Sequence, residues 1–106
     1  MTIHTSNFLE VFGESPLIKV LDFFLDNDVY DYTKSDVFKE TGVSRVTLQE
    51  IFDDLERKGI IKKTRVSGKS QMYQLNKETS IVQNLIKFDL ELTFGKQTKK
   101  QVAIEA

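Results

Sequence analysis

Between Arg57 and Lys77 the chain carries Arg57, Lys58, Lys62, Lys63, Arg65, Lys69 and Lys77 and no acidic residue. Seven positive charges in so short a segment can neutralise a run of phosphates, and a polyanion responds to such a patch rather than to the average charge. The average points elsewhere. Over 106 residues, 15 Lys and Arg face 16 Asp and Glu for a net charge of -1. The cause is Met1 to Glu56, which holds twelve acids against four bases. The other use of such lysines is a solvated strand pair, whose edges they guard against unwanted pairing.

No other group of residues has the spacing of a chemical site. The chain has no cysteine, which excludes thiolate nucleophiles, zinc fingers, Fe-S clusters and disulfide frameworks. His4, the one histidine, sits in an N-terminal arm with no second ligand type nearby. Gly68-Lys69-Ser70 resembles the end of a phosphate-binding loop, but Lys63 stands where that loop needs glycine and a strand pattern follows where it needs a helix. Asp53, Asp54 and Glu56 fall on a helix face, where such runs are usually solvated. Tyr30, Tyr32 and Tyr73 can stack on bases, although a strand residue such as Tyr73 more often packs in a core. No catalytic residue, metal or cofactor is expected, and the protein reads as a non-enzyme. No apolar run reaches the ~18 residues of a membrane span, so a soluble, cytoplasmic protein without a membrane partner is expected.

The elements that must position the basic segment are written in caps and periods. Ser6 can cap a short helix at Asn7 to Phe12 that Gly13 ends. Ser15-Pro16 starts a second, Pro16 to about Asn27, with Leu17, Val20, Leu21 and Phe24 at i, i+3, i+4, i+7. Asp28 to Tyr32 is a polar connection with room for a short extended segment. Thr33-x-x-Asp36 has capping-box spacing for a helix from Lys34 to Thr41. Gly42 stops that helix, Val43 plugs the core, and Ser44 caps a further helix, Arg45 to Lys58, closed by Gly59. Two helices joined by so tight a glycine turn make a helix-turn-helix. Ile60 to Val66 and Gln71 to Leu75 are β-prone runs around Ser67-Gly68-Lys69-Ser70, a hairpin. From Thr79 to about Phe94, Ile81, Leu85, Phe88 and Leu92 form one helical stripe with Val82 and Ile86 beside it.

This order resembles the winged helix-turn-helix fold of small transcriptional regulators. The resemblance covers about Ser15 to Phe94. It is carried by Thr41-Gly42-Val43-Ser44-Arg45-Val46-Thr47-Leu48, by Leu55-Glu56-Arg57-Lys58-Gly59-Ile60-Ile61, and by Tyr73-Gln74-Leu75-Asn76. Phe12-Gly13-x-Ser15-Pro16 and the stretch Leu75-Asn76 to Ile81-Val82 are similar to archaeal regulators of this class. The expected fold is mainly α with a small β-hairpin wing, an α+β winged helix-turn-helix with an additional C-terminal helix. The expected division is an arm or short helix at 1–14, the winged domain at 15–77, a dimerisation helix at 78–95 and a flexible tail at 96–106.

The resemblance implies a sequence-specific DNA-binding regulator, with the helix Arg45 to Lys58 in the major groove and the wing Ile60 to Leu75 on the backbone. Leu48, Ile51, Phe52 and Leu55 share the core face, so Val46, Glu50, Asp53 and Arg57 lie opposite, flanked by Thr47 and Gln49. Arg45 can bind guanine bidentately, Gln49 adenine, and Thr47 or Val46 a thymine methyl. Ser44 and Thr47 can hold phosphates, as can Lys62, Lys63, Arg65 and Lys69. Glu50 departs from the superfamily, which often has a basic or polar residue there. A carboxylate accepts from cytosine N4 but repels the groove on average. The apolar excess of the last helix, Ile81, Val82, Leu85, Ile86, Phe88 and Leu92, implies a homodimer interface, the alternative being that it packs only across the helix from Pro16. The alternative function is a winged-helix interaction module in a transcription or replication assembly, whose acidic helix face docks a basic protein.

Overall fold

The computed structural model describes residues 6–95. The arm residue His4 and the tail at 96–106 lie outside them. Five helices and two strands follow one another as α1 (Asn7–Phe12), α2 (Pro16–Asp26), α3 (Lys34–Thr41), α4 (Arg45–Arg57), β1 (Ile61–Ser67), β2 (Ser70–Leu75) and α5 (Ser80–Phe94). This is a mainly helical α+β winged helix.

Local chemistry starts each of the first four helices. The hydroxyls of Ser6, Ser15, Thr33 and Ser44 accept the N–H groups of Leu9, Ile18, Asp36 and Thr47. At α3 the box is reciprocal, because the Asp36 carboxylate accepts the Thr33 N–H at 2.9 Å. α2 ends one residue before the expected Asn27, whose side chain instead donates to the Phe23 carbonyl at 2.8 Å and caps the helix. α4 ends one residue before the expected Lys58, since Gly59 and Ile60 turn their N–H groups back to the carbonyls of Glu56 and Leu55. Thr79 makes no side-chain cap for α5; its hydroxyl donates to the Gly59 carbonyl and fastens the start of α5 to the corner between α4 and the wing.

The turn between α3 and α4 depends on Gly42, whose φ of 76° lies in the left-handed region. It delivers Val43 into the core, as the pattern predicted, and sets α4 at once against α3. One core joins the elements. Phe8 of α1, Val20 and Phe24 of α2, Val37 of α3, Leu48, Phe52 and Leu55 of α4, Ile61 and Leu75 of the wing and Val82 of α5 are all buried. Through its middle runs an edge-to-face aromatic series. Phe24 meets Phe52 at 5.7 Å between centroids, and Phe52 meets Tyr73 at 4.8 Å and 87°. Tyr73 is therefore core rather than a stacking surface.

The hairpin is antiparallel, with Ile61 opposite Leu75, Lys63 opposite Tyr73 and Ser67 opposite Ser70. Gly68, at φ 63°, opens a two-residue turn that only glycine enters without strain. Tyr32 adds a single bridge to Tyr73, the short extended segment that the connection after α2 had room for. Between Lys63 and Val66 the register shifts by one, so Thr64 and Arg65 together oppose Met72. Such a bulge re-aims side chains that a regular strand would send to opposite faces.

Candidate nucleic-acid interface

α4 buries Leu48, Phe52 and Leu55 and leaves Ser44, Arg45, Val46, Gln49, Glu50, Asp53 and Arg57 exposed, with Thr47 half-buried. The wheel drawn from the sequence therefore matches the burial of this helix. Val46 is 76% exposed at its first turn, an apolar side chain left largely uncovered by the described residues. Ser44 is committed to the cap, accepting from the Thr47 N–H and donating to the Thr47 hydroxyl at 3.0 Å. Glu50 makes no hydrogen bond or ion pair among the described residues.

The fold redistributes the charge of the basic segment. Arg57 and Lys58 grip Asp54 at 2.7 and 2.9 Å, and the Lys58 hydrogen bond, then Arg57, holds that carboxyl below its usual range. Lys63 lies 3.9 Å from Glu56, and Lys77 lies 3.6 Å from Asp28. Arg65 is bound to Asp31 through Nε at 2.9 Å and Nη2 at 3.1 Å. Among the described residues, five of the seven cations between 57 and 77 thus stand beside a carboxylate, and Lys62 and Lys69 do not. Acids of the first half thus fold back onto Lys63 and Arg65, two of the residues expected from the sequence to meet phosphates.

Two further cations, Lys34 and Arg45, lie outside that segment. Lys34, the first residue of α3, donates from Nζ to Gln49 Oε1 at 2.9 Å and lies 5.5 and 5.8 Å from the ring centroids of Tyr73 and Phe52. Gln49 passes its own amide N–H groups to both oxygens of Asp53, at 3.2 and 3.1 Å, so an amide separates the ammonium from the acid. Arg45 donates to the Ser35 hydroxyl at 3.4 Å and lies over the Phe38 ring at 5.3 Å. Neither Lys34 nor Arg45 has a carboxylate partner among the described residues. Together with Thr33, Ser35, Ser70, Gln71 and Tyr73 they line a cleft of about 170 Å³ between α3, the start of α4 and the return strand of the wing.

Lys34, Ser35 and Gln71 were not among the candidate site residues read from the sequence, and Ser70 entered as a candidate only in the Gly68-Lys69-Ser70 motif that the strand pattern ruled out as a phosphate-binding loop. One signal for Lys34 was there: a lysine at the first position of a helix opposes the helix dipole. The acidic face of α4 also reaches the wing, since burial first, and then Glu56 and Asp53, push the Tyr73 hydroxyl up.

On α5, Val82 is fully buried in the core of its own chain, which removes it from the surface set expected for a dimer contact. Leu85, Ile86 and Leu92 are half-buried against that core, while Ile81 and Phe88 stay 47% and 40% exposed. Phe88 touches Phe12 of α1 at 5.7 Å. The stripe Ile81, Leu85, Phe88, Leu92 is thus covered along one edge and open along the other.

Among the described residues no helix is long and apolar enough to cross a membrane, and no group of three His, Cys, Asp or Glu side chains is placed to hold a metal ion. No protein-family model matches the chain, and no curated protein matches it. Among solved structures it is similar to the ferric uptake regulator of Francisella tularensis determined with iron. The TM-score is 0.56 and the identity 23%, over 61% of this chain and 53% of that one. The matched region thus spans about half the length of that regulator, and at this identity the likeness is one of fold.

Proposed function

We propose that this chain is a sequence-specific DNA-binding transcriptional regulator, a small one of the archaeal type that Phe12-Gly13-x-Ser15-Pro16 resembles, and not an enzyme. In this reading α4 enters the major groove and presents Val46, Thr47, Gln49 and Glu50 to base edges. Lys62 and Lys69 of the wing meet the backbone. The observation that carries it is the exposed first turn of α4, with uncovered Val46, flanked by cations that the fold leaves unpaired. The fold neighbour is itself named as a regulator, which supports the class. The iron named with that structure is said of that protein alone.

The open edge of the Ile81, Leu85, Phe88, Leu92 stripe supports a homodimer. A twofold pair would set two α4 helices on half-sites about 34 to 36 Å apart, so that two modest contacts act together. Selection from a random duplex library tests the reading: an enriched sequence with two related half-sites about one helical turn apart is expected, and a pool that stays random would refute it.

The unpaired Glu50 and the solvent-facing Asp53 favour a second reading, a module whose α4 face docks a basic protein segment. Glu50→Gln separates the two. Stronger binding to random duplex fits a glutamate that merely restrains DNA binding, whereas duplex binding absent both before and after the change fits the protein-docking module.

A further inference from the structure

We infer that the cleft between α3, the start of α4 and β2 seats one phosphate group, held by Lys34 and Arg45 together, so that Arg45 grips a backbone and does not read a base. The inference deepens the DNA reading above and takes its main ligand source from it. Three observations converge on the cleft. The first is charge. Among the described residues Lys34 and Arg45 have no carboxylate beside them, whereas most cations of the wing segment do. The Gln49 amide stands between Lys34 and Asp53, so the ammonium makes no direct ion pair with that acid, and the rings of Tyr73 and Phe52 lie 5.5 and 5.8 Å from it.

The second is lining. None of the seven residues around the cleft is acidic, and the Ser35 and Ser70 hydroxyls supply donors beside the two cations. The third is size. At about 170 Å³ the cleft is smaller than the ~300 to 1,000 Å³ of small-molecule pockets and several times the ~30 Å³ share of one water. One anionic group fits within it. Arg45 itself lines the cleft and donates to Ser35, another of its lining residues, while its guanidinium also lies over Phe38 of α3.

Binding of the full chain to random and selected duplexes over a salt series tests this with Lys34→Gln, Arg45→Gln and, as control, Lys39→Gln on the same helix α3. Each of the first two variants should weaken both duplexes alike, about eightfold at 0.1 M salt. The slope of log K on log salt should become shallower by about 0.9. Lys39→Gln should do neither. Unchanged slopes for Lys34→Gln and Arg45→Gln overturn the inference, as does a loss confined to the selected sequence in Arg45→Gln, or an equal effect from Lys39→Gln. If the wild type binds no duplex, the DNA reading fails and inorganic phosphate becomes the probe. Saturable shifts of the Ser35 and Ser70 amide resonances that Lys34→Gln abolishes then support a seat for free phosphate, and their absence overturns it.

Discussion

The Asp31 carboxylate receives Nε and Nη2 of Arg65, a residue 34 positions further on, in a two-pronged ion pair. The Thr64 hydroxyl donates to the same carboxylate at 2.6 Å. Neighbouring strand residues reach one partner because the bulge at Thr64 and Arg65 turns both toward it. Asp31 in turn is fixed by the Tyr32 to Tyr73 bridge, so the wing is tied at mid-length to the connection after α2.

Arg65 first, then Thr64, hold the Asp31 carboxyl down at about 2 from an ordinary value of 3.8. A depressed carboxyl contributes stability above its unfolded value and loses it as pH falls through the folded one. Asp31→Asn should therefore melt below wild type at neutral pH. The two melting curves should draw together as pH falls from about 4 to about 2, and thermal unfolding over that range checks this.

Asp89 of α5 behaves in the opposite sense. Burial first, then Asp26 and Asp22 of α2, push its carboxyl up, so ionising it costs stability as pH rises through and above 3.8. Asp89→Asn should raise the melting temperature at neutral pH, and the gain should vanish below the unfolded value. A gain that persists in acid would point to packing instead.

Gln49→Glu should convert the amide beside Lys34 into a counter-charge. The fold should be kept, because Gln49 is exposed, while the salt slope for random duplex should become shallower by about one contact. Circular dichroism and binding isotherms measure the two effects.

Phe52→Ala should cost about 3 to 5 kcal/mol in denaturant unfolding, a large part of the roughly 5 to 15 kcal/mol of a small domain. Phe52 is fully buried between Phe24 and Tyr73, and no neighbouring ring can fill its space without leaving its own contact. Val46→Ala on the same helix should leave stability within about 0.5 kcal/mol and lower the preference for the selected sequence over a random one.

If the chain pairs through α5 as proposed, Ile81→Asp should make it monomeric in sedimentation at micromolar concentration and keep the helical content. Ile81 is the better probe than Leu85, which packs on the core and would mix folding with association. A wild-type monomer of 12.2 kDa in that experiment would remove the dimer.

The caps of α1 to α4, the Gly42 turn and the inward face of α4 were legible because each is decided within four or five residues of sequence. The pairs of Asp54 with Arg57 and Lys58 were legible in principle, being i, i+3 and i, i+4 on one helix. Asp31 with Arg65 and Lys77 with Asp28 were not, since only the closed hairpin brings those acids to the wing. The same holds for the bulge, a two-against-one register that the alternation of Ile60 to Val66 does not encode. Val82 looked like surplus apolar surface until α1 and α5 were seen to share one core.

The most direct test of DNA binding through the unpaired cations is the salt dependence of wild-type affinity for random-sequence duplex. Lys34 and Arg45 on one shared phosphate, with Lys62 and Lys69 on one each, should give a slope of log K on log salt of about -2.7 per protomer, three phosphates at about 0.9 each. A slope indistinguishable from zero, or no binding at low salt, would contradict it.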